Sequence, residues 1–191
     1  MNTSELKNLT ENLLETFVRA GQKALELRSK GLKTVIKADN TPVTNADMEV
    51  DKQIKEKITE ITPNIPLISE ETVNLNQRNI YKNFWLVDPI DGTSDYIKNR
   101  DEFTINASLI NNLEPSIGII YAPAKKRLFY SYGDGLAFEE FDKKKIKLDC
   151  KKKTKIGEVK ALTNSSKPHN EILKIHKKFK VSNFVNMRSS Y

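Results

Sequence analysis

The chain has 191 residues, 38% hydrophobic and 30% charged, with 32 Lys and Arg against 25 Asp and Glu and a net charge of +7. That length suits one good-sized domain, or one domain and part of another, and the composition argues against disorder. No apolar run reaches the length of a membrane span and no apolar signal core opens the chain. The single cysteine, Cys150, forbids an intrachain disulfide, which fits a reducing, cytoplasmic setting; peripheral membrane association stays open.

Leu6, Leu9, Leu13, Phe17, Ala20, Ala24 and Leu27 recur at helical spacing, which predicts one long amphipathic helix over about 4–29, with Gly31 at its C-terminal stop. A polar loop, KADNTPVT, follows. A second helix is predicted from Ala46 to Ile61, burying Val50, Ile54, Ile58 and Ile61, with Thr44 and Asp47 spaced as a capping box. Pro63 and Pro66 break the chain before a short strand, Leu67 to Ser69, that runs into Glu70 and Glu71. After a polar loop over 72–82, an apolar strand from Phe84 to Val87 ends in carboxylates. From Phe103 onward the segments FTINASLI, SIGIIYA, RLFYSY and LAFEEF read as strands, joined by turn-like NNLEP, PAKK and GDG into an antiparallel meander. Two helices followed by a mainly antiparallel sheet make an α+β fold with layered packing.

The segment Lys143 to Lys155 carries eight lysines against one aspartate. It holds no aromatic side chain to stack on bases and no arginine to read base edges. A solvated linker or hairpin edge is therefore the preferred reading over a nucleic-acid surface, with steering of anions a secondary benefit. Beyond it, VKALT (159–163) reads as a strand, 168–178 as a helix and VSNFVNM (181–187) as a strand. A unit of that size cannot bury both of its faces alone. The expected organisation is a first domain over 1–142, the lysine-rich segment over 143–156, and an incomplete second α/β domain over 157–191.

The chemistry concentrates in WLVDPIDGTSDYI, with ISEE about twenty residues upstream. Asp88 and Asp91 stand three apart across Pro89, and Gly92, Thr93 and Ser94 follow at once. Carboxylate oxygens at a strand end suit a hard cation such as Mg²⁺, and a turn frees a backbone carbonyl, here Ile90, as a further donor. Gly92 allows close backbone approach, and the successive N–H groups of such a turn can hold a phosphate. Carboxylates, metal and phosphate together point to metal-assisted phosphoester hydrolysis.

These motifs, in this order, resemble the inositol monophosphatase superfamily of Mg²⁺-dependent, lithium-sensitive phosphatases. KADNTPVTNAD, SDYIKNRDEFTINASLI and IGIIYAPAKKRLFY look more narrowly like its CysQ branch, the 3′(2′),5′-bisphosphate nucleotidases. The resemblance implies the layered α/β sandwich of that superfamily and a phosphorylated metabolite as partner, adenosine 3′,5′-bisphosphate, hydrolysed to AMP and phosphate. It maps metal ligands onto Glu70, Asp88, the Ile90 carbonyl and Asp91, two or more Mg²⁺ being usual in the family. Gly92, Thr93 and Ser94 would meet the phosphate, with Glu70 bordering it as well. Thr93, hydrogen-bonded to Asp47, would activate the attacking water. Asp39 is a candidate contact for an additional metal, and Glu71 a supporting neighbour.

Plainer readings stand beside these. Asp47 would serve as a helix cap, Glu71 as a solvated neighbour and Asp91-Gly92 as an ordinary turn. Trp85 reads as core, while His169, His176 and Cys150 have no partners that would make a site. The family's WDxAA-type motif has no match here, and in NMRSSY an arginine, Arg188, stands where a glycine is expected. The chain is therefore expected to lack one metal ligand and much of the nucleotide-binding surface. Three alternatives follow: an inositol-1-phosphate or sugar phosphatase, an inactive remnant that binds metal, phosphate or a partner, and a chain whose fold is completed by a separate C-terminal piece; the homodimerisation common in the superfamily would need surface expected to be missing here.

Overall fold

The computed structural model describes residues 1–37, 40–73, 81–149, 159–163 and 167–186, so Asp39 and Cys150 lie outside the described residues. Helix α1 (Thr3–Lys30) is held at its start by a capping box: the Glu5 N–H donates to Asn2 Oδ1 at 3.0 Å and the Asn2 N–H to Glu5 Oε2 at 2.7 Å. It stops at Gly31, whose φ of 97° a side chain would strain. After the hairpin β1 (Thr34–Ile36) and β2 (Pro42–Thr44), helix α2 (Asn45–Ile61) begins with the predicted capping box, Thr44 with Asp47.

Seven strands form the main sheet in spatial order β3 (Leu67–Ser69), β4 (Phe84–Asp91), β5 (Thr104–Asn111), β6 (Glu114–Ala122), β7 (Arg127–Ser131), β8 (Ala137–Phe141) and β9 (Lys144–Lys147). The short helix α3 (Thr93–Ile97) interrupts the run between β4 and β5. The pairing of β3 with β4 is parallel and every other pairing in this sheet is antiparallel. The four meander strands read from the sequence are β5 to β8. The start of the lysine run supplies β9, the edge strand; from Cys150 onward that run lies outside the described residues.

Alternation along the strands sorts the two faces of the sheet. Trp85, Val87, Ile105, Leu109, Ile117 and Ile119 are buried with Leu13, Phe17 and Ala20 of α1 and Val50, Ile54 and Ile58 of α2 in one core. Helix α1 approaches closely where Gly21 faces β6: a Cβ there would stand 2.4 Å from the Tyr121 ring. Trp85 is core, as expected, and its indole N–H donates to Thr62 Oγ1 at 3.0 Å. The alternate residues, among them Leu86, Asp88, Asn106, Ser108 and Ile120, border a cleft of about 490 Å³ on the face away from these helices.

Strand β10 (Val159–Thr163), helix α4 (Asn170–Lys178) and strand β11 (Val181–Asn186) make a separate parallel strand–helix–strand unit. Its helix exposes Ile172, Leu173 and Ile175. None of the described helices is long and apolar enough to cross a membrane.

Candidate metal and phosphate site

Parallel pairing sets the positions of the carboxylates. Ser69 on β3 stands opposite Val87 on β4, and the Glu70 N–H continues the ladder to the Val87 carbonyl at 3.0 Å. Both strands run in the same direction, so Glu70 and Asp88 leave the sheet at the same end. An antiparallel pair would have sent them to opposite ends.

Beyond Asp88 the ladder breaks. Asp88 pairs with Asn106 and Asp91 with Thr104, leaving two residues, Pro89 and Ile90, opposite the single Ile105. This is a β-bulge, and Pro89, which has no N–H to give the ladder, suits it. Gly92 then turns the chain at φ 89° and ψ 29° and caps α3. Its carbonyl takes the N–H groups of Asp95 and Tyr96, both at 2.9 Å. Thr93 and Ser94 are the first two residues of that helix, where N–H groups have no helical acceptor. Tyr96 anchors the turn by donating its hydroxyl to the Ala24 carbonyl at 2.7 Å.

Asp47 meets this turn from α2. Its Oδ2 accepts from the Thr44 N–H at 2.8 Å and the Thr44 hydroxyl at 2.5 Å, and its Oδ1 lies 3.4 Å from the Thr93 hydroxyl. The capping and functional readings of Asp47 are thus carried by different oxygens of one side chain. The Thr93 hydroxyl has a single proton, however, and its shorter contact is to the Ile90 carbonyl at 2.8 Å. Burial raises the Asp47 pKa, against the opposing effect of its Thr44 hydrogen bonds.

Asp88 is the most perturbed carboxyl. Burial, then the neighbouring charges of Glu70 and Asp91, push its pKa up to about 8. Its Oδ1 is buried and has no hydrogen-bond partner. Asp91 accepts from the Thr104 hydroxyl at 3.3 Å. Burial likewise raises the Glu71 pKa, although Lys37 opposes it from 2.8 Å. Lys37 also lies 3.7 Å from Glu70, so one ammonium serves both glutamates. Burial works against the charge on Lys37, and the two glutamates more than restore it, leaving its pKa raised.

The structure therefore brings Glu70, Asp88 and Asp91 to one strand end, with Ile90, Gly92, Thr93 and Ser94 in the turn beside them and Asp47 behind Thr93. Glu71 is more deeply buried than Glu70, with its side chain 3% exposed against 51%. Among the described residues, no three acidic, histidine or cysteine side chains converge closely enough to form a finished metal-ligand set. The donor chemistry nevertheless fits a hard cation: hard oxygens, a buried carboxylate oxygen without a partner, and repulsion that a cation would relieve. Lys37, Asp51, Ser69 and Thr104 were not singled out from the sequence. Asp51 did carry a signal, because it falls in phase with the apolar stripe of α2 yet is acidic.

Comparison with known proteins gives a consistent result. The sequence matches the model of the Inositol monophosphatase family over residues 5–190. It is similar to the 3′(2′),5′-bisphosphate nucleotidase CysQ of Aggregatibacter actinomycetemcomitans, 36% identical over 146 residues covering 73% of this chain and 54% of that protein. The crystal structure of CysQ from Bacteroides thetaiotaomicron, described as a bacterial member of the inositol monophosphatase family, aligns with a TM-score of 0.66 and 26% identity, covering 96% of this chain and 72% of that one. The structure of an IMPase/NADP phosphatase complexed with Mg²⁺ and phosphate shares the fold at a TM-score of 0.76 and 19% identity, over 96% of this chain and 68% of that one. The chain spans about half the length of the curated relatives it matches.

Proposed function

The chain belongs to the inositol monophosphatase family, and on that premise we propose that it builds a Mg²⁺-dependent phosphomonoester hydrolysis site acting on adenosine 3′,5′-bisphosphate. The observation that carries this reading is the buried, unpartnered Asp88 oxygen beside Glu70 and Asp91, at the mouth of a glycine turn. Glu70, Asp88, Asp91 and the Ile90 carbonyl would hold the cation. Mg²⁺, when bound, shields phosphoryl oxygens and acidifies a water. The N–H groups of Gly92, Thr93 and Ser94 face the phosphate. The Thr93 hydroxyl, once it gives its proton to Asp47 instead of the Ile90 carbonyl, has a lone pair free to accept a hydrogen from the attacking water and orient it. Similarity to the CysQ nucleotidases supports the substrate over an inositol or sugar phosphate.

A second reading has its own support. Among the described residues the acidic side chains do not converge into a finished ligand triad, which favours a protein that binds the cation or phosphate without turnover. One experiment separates the two. Phosphate release from adenosine 3′,5′-bisphosphate is measured with Mg²⁺ and with EDTA, beside Asp91→Asn. Release that needs Mg²⁺ and is lost in the variant supports hydrolysis. Absence of release from a folded chain that still binds Mg²⁺ overturns it in favour of binding, and faster release from inositol 1-phosphate overturns the substrate.

A further inference from the structure

Asp51 is a carboxylate in a place where an apolar residue would pack. It lies one turn beyond Asp47 on α2, in the same stripe as Val50, Ile54 and Ile58, and is 3% exposed. Burying a charged group is costly unless it is paired, and both of its partners lead to the same place. Asp51 Oδ1 accepts the Ser69 hydroxyl at 2.5 Å, and Ser69 is the residue before Glu70. Asp51 Oδ2 lies 3.3 Å from Lys55 Nζ, which also donates to Thr72 Oγ1 at 2.9 Å. Ser69 Oγ in turn receives the Glu71 N–H at 3.4 Å. The acidic turn is thus tied to the helix on both sides of Glu70 and Glu71. Strand β3 alone, three residues long at the edge of the sheet, gives that turn little support.

We propose that Asp51 is a positioning residue that holds the Glu70–Glu71 turn against α2. Helix α2 then carries two aspartates with parallel tasks. Asp47 fixes the glycine turn through Thr93, and Asp51 fixes the acidic turn through Ser69. Four residues of helix separate them by about 6 Å, a rigid interval that sets how far the two halves of the site stand apart. Outer partners of this kind typically alter metal affinity 10- to 100-fold when removed, about the effect expected here. The effect on metal binding rests on the reading of Glu70 as a cation ligand; the clamp itself does not.

The test uses the full chain and the variants Asp51→Ala, Asp51→Asn, Ser69→Ala and the Ala double variant. Two quantities are read: amide hydrogen exchange, and Mg²⁺ affinity by calorimetry. The reporters are the Thr72 and Val73 N–H groups, which bond the Ser69 carbonyl, and the Glu70 N–H, which bonds the Val87 carbonyl. Exchange at these three amides should accelerate about tenfold or more in Asp51→Ala relative to amides inside α2 and β5. Asp51→Asn keeps an oxygen for Ser69 while losing the charge that holds Lys55, so it should fall between. The double variant should match Asp51→Ala, because both deletions open one clamp. Mg²⁺ affinity should drop about 10- to 100-fold in Asp51→Ala.

A merely structural role would raise exchange throughout the helix and leave Mg²⁺ affinity unchanged in the folded protein. Exchange at residues 70–73 that follows the rest of the core would overturn the proposal, as would Mg²⁺ affinity within about twofold of the parent. Should Asp51→Ala fail to fold, Asp51→Asn and Ser69→Ala carry the same comparison. A parent chain that binds no Mg²⁺ would remove the functional reading, while the exchange arm would still decide the clamp.

Discussion

Asp88→Asn should make the metal-free chain more stable. The aspartate is half-buried, its buried Oδ1 has no partner, and Glu70 and Asp91 add repulsion. A carboxyl at about 8 in the fold, against an ordinary 3.8, would on its own correspond to roughly 6 kcal/mol of disfavoured ionisation at high pH. Partial solvent access reduces this, and about 1–3 kcal/mol is the expected net gain. For a chain of this size that is a rise in Tm of roughly 3–10 °C. The sign with pH follows from the raised value. Between pH 3.8 and about 8 the unfolded chain releases the proton before the folded chain does. The parent therefore loses stability as pH rises through that window. Thermal melts of parent and variant in EDTA should coincide near pH 4 and diverge towards pH 8, with the variant higher. Adding Mg²⁺ should stabilise the parent and close the gap, because the ion relieves the same repulsion and Asn is a poorer ligand. Coincident melts at pH 8 in EDTA would refute the reasoning, as would equal stabilisation of both proteins by Mg²⁺.

Three further perturbations test other parts of the structure. Thr62→Val removes the acceptor of the buried Trp85 N–H, and should cost about 1–3 kcal/mol in denaturant unfolding and shift the emission of the single tryptophan; unchanged emission and midpoint would contradict the pairing. Gly21→Ala improves helix propensity by about 1 kcal/mol but drives a Cβ into Tyr121 and Pro123, so its net effect should be a lower Tm, and a higher one would show that the α1–β6 contact yields easily. Thr93→Val should reduce phosphate release by about 100-fold or more while leaving Mg²⁺ affinity close to that of the parent; equal losses in both would make Thr93 a structural residue only.

The elements were legible because each rests on a short periodic signal. The stripe from Leu6 to Leu27 gives α1, alternation gives β5 to β8, and the Thr44–Asp47 spacing gives the cap of α2. The carboxylates of the site were legible as a motif, since Asp88, Asp91 and Gly92 are neighbours in sequence. Contacts that cross between elements left no such mark. Lys37 reaches Glu70 and Glu71 over more than thirty residues of chain, and Ser69 meets Asp51 eighteen residues away. The Thr93 hydroxyl was expected on Asp47, and the structure places it closer to the Ile90 carbonyl. A difference of a few tenths of an ångström between two acceptors cannot be read from spacing.

The topology also explains why the site is under tension. Parallel pairing of β3 with β4 places Glu70 beside Asp88, and the bulge at Pro89–Ile90 brings Asp91 to the same end of the sheet. Backbone register thereby brings three acidic residues to one strand end. Cationic or protonic compensation lowers the repulsion among them. The chain supplies two forms of it, Lys37 against the glutamates and an Asp88 carboxyl pushed up to about 8, where it holds a proton more readily. Both are replaceable: Lys37 stands on a loop outside the sheet, and a proton exchanges freely with solvent. Were the cluster built for stability alone, an amide at position 88 would remove the conflict at no structural cost. That an aspartate stands there instead is the argument for a cation, and the melting behaviour of Asp88→Asn with and without Mg²⁺ is where that argument succeeds or fails.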